Sequence, residues 1–184
     1  MKKAALMILA LVLCMNMSGC LGAVQADDYI YVVGIGFDKG SQYRFNVTFL
    51  VQKDVSGSEQ TSTGGAEIIS AGGDTLFDAI TVLSAGVPFR INFSRVNTFF
   101  FGEEVARSGR IKELSNITFN ALKIRQSAKL MVCLGTAQRL MQGLCLEDVP
   151  NITKLQFSVF QDYAAEGITV ITNYAGMLES IRGR

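Results

Sequence analysis

Between residues 29 and 50 the apolar positions change their spacing. Tyr29-Ile30-Tyr31-Val32-Val33 is an unbroken run of β-formers, while Tyr43, Phe45, Val47 and Phe49 alternate with Arg44, Asn46 and Thr48. The first run predicts a strand, and the period of two predicts a second strand with one buried face. Asp38-Lys39-Gly40 between them is expected to be a hairpin turn, with Gly40 available for positive φ. Gly34 and Gly36 fall on one face of the first strand and mark either a bend or a close packing contact. These glycines also raise the question of a dinucleotide loop. Such a loop must lead into a helix whose N-terminus holds the phosphate. Here an alternating strand follows, and Gly-x-Gly-x-x-x-Gly is not the required spacing.

Further along, the glycine-rich polar stretch 53–65 predicts a loop, and Ala66 to Ala71 a third strand. Asp74 is placed to cap a helix on which Leu76, Ile80 and Leu83 form one apolar face, ending near Gly86 ahead of Pro88. Val96 to Phe101 is β-prone. Glu103 and Glu104 open a short helix, where acidic residues suit the positive helix end, and Gly109 stops it. Paired glutamates also suit acid–base or metal chemistry, but the plainer reading is a solvated first turn. Ile111, Leu114, Thr118 and Ala121 give a further amphipathic helix, Ser127 to Leu134 another strand, and Gly135-Thr136 opens a short helix with Leu140 and Met141. Residues 145–154 read as a loop around Pro150. Residues 155–163 suit either helix or strand, 168–171 a strand and 175–182 a helix. Strands followed by mixed elements predict an α+β domain, with helices packed on a mixed sheet.

The 184 residues suffice for a domain with a real core. The chain has no histidine, which excludes Ser-His-Asp and Cys-His nucleophile systems and removes the commonest metal ligand. The 17 basic and 16 acidic residues nearly cancel, so charge makes no case for nucleic acid.

The N-terminus carries the sharpest signal. Met1-Lys2-Lys3 is a basic start, and Ala4 to Leu13 is an apolar run of signal-peptide length, too short to span a bilayer. It leads into Met17-Ser18-Gly19-Cys20, which resembles the lipobox of bacterial lipoproteins; the alternative is an ordinary secretory signal. The lipobox reading makes residues 1–19 a lipoprotein signal peptide and Cys20 the lipidation site, with membrane attachment through a diacylglyceryl group. Removal of Lys2 and Lys3 then leaves 15 basic against 16 acidic residues, a net charge of −1. Cys14 leaves with the signal, so Cys133 and Cys145 are the remaining thiols. Cys133, in an apolar run, is expected to be buried and inert; a disulfide between the two is the alternative outside the cytoplasm. Neither shows zinc-ligand spacing. After Cys20, four Asn-x-Ser/Thr triplets begin at Asn46, Asn92, Asn116 and Asn151, and the lipoprotein signal argues against glycosylation as their reason.

Taken in order, the lipobox cysteine, "YIYVVGIGFDKG", the Gly-Asp-Thr-led helix, "FFFGEEVARSG" and "IRQSAKLMVCLGTA" resemble the Ger(x)C family of spore germination lipoproteins. The similarity is to the family's N-terminal domain and runs from about Cys20 to about Gly143. It implies a lipid-anchored, non-enzymatic subunit of a nutrient germinant receptor. That subunit would lie on the outer surface of the spore inner membrane, with two polytopic membrane subunits as partners. It would have no cofactor, no metal and no catalytic residues. Residues 20–184 are expected to form the N-terminal domain, with the family's C-terminal domain absent. The chain departs from the family at residues 120–125, where Asn-Ala-Leu-Lys-Ile-Arg replaces a pattern like Arg-Asp-x-Glu-x-Arg and only Arg125 fits. Leu21 stands where a tryptophan is frequent.

Two other function classes bear weighing. A solute-binding lipoprotein of a transporter is usually larger and two-lobed, with a cleft between domains. An extracytoplasmic enzyme needs a nucleophile–base pair that this sequence does not supply.

Overall fold

The structure, a computed structural model, describes residues 29–53, 66–146, 172–173, 175–177 and 179, together with Lys3. Cys20, the signal segment 1–19 apart from Lys3, and the segments 155–163 and 168–171 lie outside the described residues, as does most of the loop 53–65. Among the described residues no helix is long and apolar enough to cross a membrane.

Strand β1 (Tyr29–Lys39) runs antiparallel to β2 (Phe45–Lys53), and β2 antiparallel to β3 (Ala66–Gly73). Helix α1 (Leu76–Gly86) follows, then two strands that both lie parallel to β1: β4 (Arg90–Asn92) along its start and β5 (Thr98–Gly102) along its end. Helices α2 (Glu103–Arg107) and α3 (Ile111–Leu122) lead to β6 (Lys129–Cys133), parallel to β5. Helix α4 (Ala137–Leu146) comes next, and β7 (Thr172–Asn173) closes the order antiparallel to β6. The described strands form one seven-stranded mixed sheet, β3-β2-β1-β5-β6-β7, with β4 beside β1. The expected α+β class with a mixed sheet and packed helices is what the structure has.

The unbroken apolar run of β1 has a physical reason: the sheet is covered on both faces. On one face, Leu76, Ala79 and Leu83 of α1, Val105 of α2, and Leu114 and Phe119 of α3 pack over Ile30, Val32, Ile35, Phe37, Phe99 and Phe101. On the other, Ala137 and Met141 of α4 pack over Val33, Leu50, Phe100 and Met131. Strand β5 is therefore buried at every position. Each fully buried phenylalanine contributes roughly 1.5–3 kcal/mol. The Phe37 and Phe101 rings stack at 5.5 Å, and Phe99 meets Phe119 at 4.9 Å.

A β-bulge keeps β1 in phase with these two cores. Its register against β2 slips between Val32 and Gly34, so Ile30 and Val32 before the slip share a face with Ile35 and Phe37 after it. The freed Val33 carbonyl accepts the Asn97 N–H at 3.1 Å, where the chain steps from β4 to β5. The two expectations for Gly34 and Gly36 are thus both met at different residues. The bend is at the bulge. The close contact is at Gly36, where a Cβ would stand 2.6 Å from Met141 Sδ and 3.1 Å from Ala137 Cβ.

Other details correct the sequence reading. Asp38 and Lys39 are not in a turn; they still pair with Asn46 and Phe45. The turn is 40–44, and Gly40 has no positive φ among the described residues. Its missing side chain matters because a Cβ there would collide with the Tyr43 carbonyl oxygen. Thr75, not Asp74, caps α1: its hydroxyl accepts the Asp78 N–H, and the Asp78 carboxylate accepts the Thr75 N–H in return, a capping box. Asp74 instead accepts the Arg44 N–H at 2.9 Å. On α3, Ala121 is exposed and Phe119 takes the buried place. Strand β4 escaped the sequence reading altogether.

Candidate functional site

Three parallel strands, β1, β5 and β6, end at the same edge of the sheet. In mixed and parallel sheets this C-terminal edge is where chemistry is usually assembled. Here it brings together Asp38 and Lys39 from β1, Gly102, Glu103 and Glu104 from the β5–α2 junction, and Gly135 and Thr136 from the turn between β6 and α4. With Arg107, these residues line an open cleft of about 270 Å³. Residues far apart in sequence, from three of the quoted motifs, thus meet at one place.

Asp38 is the hinge of the arrangement. Its side chain is buried at the end of β1, and its two oxygens accept the first two N–H groups of α4, Ala137 at 2.7 Å and Gln138 at 2.9 Å. The next N–H, of Arg139, goes to the Thr136 hydroxyl, and that of Leu140 to the Thr136 carbonyl. The Leu140 bond is the first intrahelical one, so the Ala137, Gln138 and Arg139 N–H groups, which a helix start leaves without intrahelical partners, all have side-chain acceptors. A carboxylate at this position also complements the positive end of the helix. Gln138 extends the anchorage: its side chain accepts from Asn46 of β2 and donates to Ser70 of β3, which bonds Thr48. Helix α4 is therefore pinned to three strands through its first turn.

Glu103 ties the neighbouring junction. Its N–H donates to the Gly135 carbonyl at 2.8 Å, and its carboxylate accepts the Gly135 N–H at 3.4 Å. Arg107 donates to the same carboxylate from Nε and Nη2, at 3.0 and 2.7 Å. These donors, Arg107 first and the Gly135 N–H second, hold the Glu103 carboxyl below the usual carboxylate range. Gly135 adopts φ +81°, a left-handed geometry suited to glycine. Glu104 pairs with Lys39 at 3.0 Å, both side chains exposed. Both glutamates stand in the first turn of α2 with their side chains solvated, as expected, and there Glu103 also ties the neighbouring turn while Glu104 closes an ion pair.

Each carboxylate at this edge already has its donors. The arrangement makes a stiff, charged rim. Among the described residues no cluster of three or more His, Cys, Asp and Glu side chains is placed to hold a metal ion. Cys133 is buried as expected, and Cys145 is half-buried; both thiols are free rather than joined. Burial, followed by the negative charge of Asp38, pushes the Cys133 thiol up to about 12, and burial with Glu67 raises Cys145. The lipidation site Cys20 lies outside the described residues. Sequence reasoning missed Asp38 as the anchor of α4. The available signal was an acid ending a wholly apolar strand, where a buried charge needs partners.

Residues 22–175 match the family described as "Spore germination protein N-terminal domain". Over 152 residues the chain is 28% identical to "Putative spore germination protein YfkR" of Bacillus subtilis (strain 168), an alignment covering 78% of this chain and 39% of that protein. The chain therefore spans well under half the length of that relative. No solved structure matches the chain.

Proposed function

We propose that this chain, which belongs to the family of spore germination proteins defined by that N-terminal domain, is a lipid-anchored subunit of a nutrient germinant receptor. The match over residues 22–175 carries the reading, and the lipobox-like Met17-Ser18-Gly19-Cys20 supports its anchored part. In this reading Cys20 bears a diacylglyceryl group, and the signal segment 1–19 is removed. Two acyl chains hold a protein stably where one holds it marginally. The domain then rests on the outer surface of the spore inner membrane, against two polytopic subunits.

Its work is binding and relay rather than turnover. A rim whose acids and bases are already paired suits a rigid docking element better than proton transfer, which needs a group free to change its charge. The two-sided core and the pinned helix α4 keep that rim in one shape, which lowers the ordering cost of association.

A tagged pull-down from solubilised spore inner membrane, with mass spectrometry of the N-terminal peptide and of the co-purifying proteins, tests this. Acylated Cys20 together with two polytopic partners is the expected result. An unmodified N-terminus, or a lipoprotein that brings down no polytopic partner, overturns it.

A further inference from the structure

Beside the paired rim lies a second cleft of about 370 Å³, between the β1–β2 turn and the α2–α3 turn. Lys39, Gly40, Tyr43, Arg44 and Phe45 line one side; Glu104, Val105, Ser108 and Arg110 line the other. Its charges do not balance. Three cations, Lys39, Arg44 and Arg110, face it against the single carboxylate of Glu104. Among the described residues no carboxylate pairs with Arg110, and Arg44 reaches Glu113 only at 3.6 Å. That distance is longer than the roughly 2.7–2.9 Å of a charge-assisted hydrogen bond.

We propose that this cleft binds a phosphate group. The Arg44 and Arg110 guanidiniums lie 5.3 and 5.8 Å from the centre of the buried Phe45 ring. One aromatic ring thus contacts both planar forks, and both line the cleft. Such forks match the oxygens of a phosphate, and the Lys39 ammonium adds a point charge. Tyr43, 53% exposed, lines the cleft and is placed to report on it. With Glu104 beside Lys39 and Glu113 beside Arg44 the cations keep one positive charge in excess, and two guanidinium forks offer more donors than the two oxygens of a carboxylate take up, which suits a phosphate. A lipid headgroup and a soluble phosphorylated compound share this chemistry. The inference stands on the cleft itself and holds whether or not Cys20 is acylated.

The test uses the full chain carrying 3-fluorotyrosine, held in phosphatidylcholine nanodiscs, with the Tyr43 fluorine resonance assigned through Tyr43→Phe. Inorganic phosphate is exchanged for chloride at constant ionic strength. The expected result is a saturable shift of the Tyr43 signal, weakened about tenfold or more in Arg110→Gln, with the other tyrosine signals unchanged. A second arm replaces part of the lipid by phosphatidylglycerol. A Tyr43 shift there without added phosphate identifies a lipid headgroup as the source; a shift with added phosphate alone identifies a soluble one. A Tyr43 signal that moves in neither arm, or that moves equally in Arg110→Gln, overturns the proposal.

Discussion

The carboxylate of Asp38 occupies the space that a side chain on Gly102 would need. A Cβ at residue 102 would run into Asp38 Oδ1, the oxygen that accepts the Ala137 N–H. The end of β5 is thus shaped around an acid on β1 that serves a helix about a hundred residues further along the chain.

This coupling is measurable. Gly102→Ala displaces the carboxylate and is expected to cost about 1–3 kcal/mol, the usual range for overpacking. Asp38→Ala leaves two helix N–H groups without acceptors and is expected to cost about 1–3 kcal/mol. In the double mutant the added methyl group no longer meets a carboxylate, so the two losses should not add. Urea unfolding of the four proteins, at constant m-value, checks this. Strict additivity would mean that Asp38 and Gly102 act independently.

Glu103 makes the same edge sensitive to acid. Its carboxyl titrates below the ordinary value of 4.5 because Arg107 and the Gly135 N–H favour the charged form. A depressed carboxyl adds stability above its unfolded pKa, and that stability is lost as pH falls through the lower folded value. Glu103→Gln should therefore narrow its deficit against the parent protein as pH drops from neutrality to below 4. A deficit constant with pH would show that the carboxylate charge is not what binds Arg107 and Gly135.

Local patterns were legible where one residue's neighbours in sequence are also its neighbours in space. The alternation in β2, the apolar face of α1 and the breaks at Gly86 and Gly109 could all be read directly. The C-terminal edge could not. Asp38 looked like a turn residue because Asp-Lys-Gly is turn chemistry. Only the register Asp38↔Asn46 and Lys39↔Phe45 shows that the strand continues. The bulge at Val33 was hidden for a related reason: a strand buried on both faces shows no alternation whose slip could be seen. Strand β4 is three residues long and gains its identity from β1 rather than from its own composition. At α1, the capping box chose Thr75 because Asp78 stands three residues later, a relation the Asp74 reading overlooked.

Cys133 supplies a prediction at the opposite end of the pH scale. Its thiol ionises near the ordinary 9.0 in the unfolded chain and only near 12 in the fold, chiefly because burial disfavours the thiolate and secondarily because Asp38 is close. A raised pKa contributes stability that is complete below the unfolded value and lost as pH rises through the folded one. Between about 9 and 12 the unfolded chain gives up its proton first, and stability should fall by up to about 1.4 kcal/mol per pH unit from this group. Cys133→Ala removes that slope at the cost of a small cavity. The difference between the two proteins should shrink as pH rises past 9. The same burial makes Cys133 slow to alkylate in the native protein and fast in urea, with half-buried Cys145 ahead of it in the native state.

The anchoring reading makes the final prediction, and it turns on a single sulfur. The apolar run Ala4 to Leu13 is too short to hold the chain across a bilayer, so stable attachment in this reading comes from acyl chains on Cys20. Each buried methylene contributes about 0.8 kcal/mol, and two chains together exceed what salt or dilution can reverse. Screening by salt weakens only attachment through surface charge, and the mature segment has a net charge of only −1, from 15 basic and 16 acidic residues. Cys20→Ala should therefore move the protein from the membrane pellet to the supernatant in a high-salt wash, while the parent protein stays in the pellet. A variant that remains in the pellet after that wash would place the attachment elsewhere: in a retained leader, or in tight association with embedded partners. Detergent extraction followed by sizing separates those two cases, since only a partner complex keeps its mass once the lipid is gone.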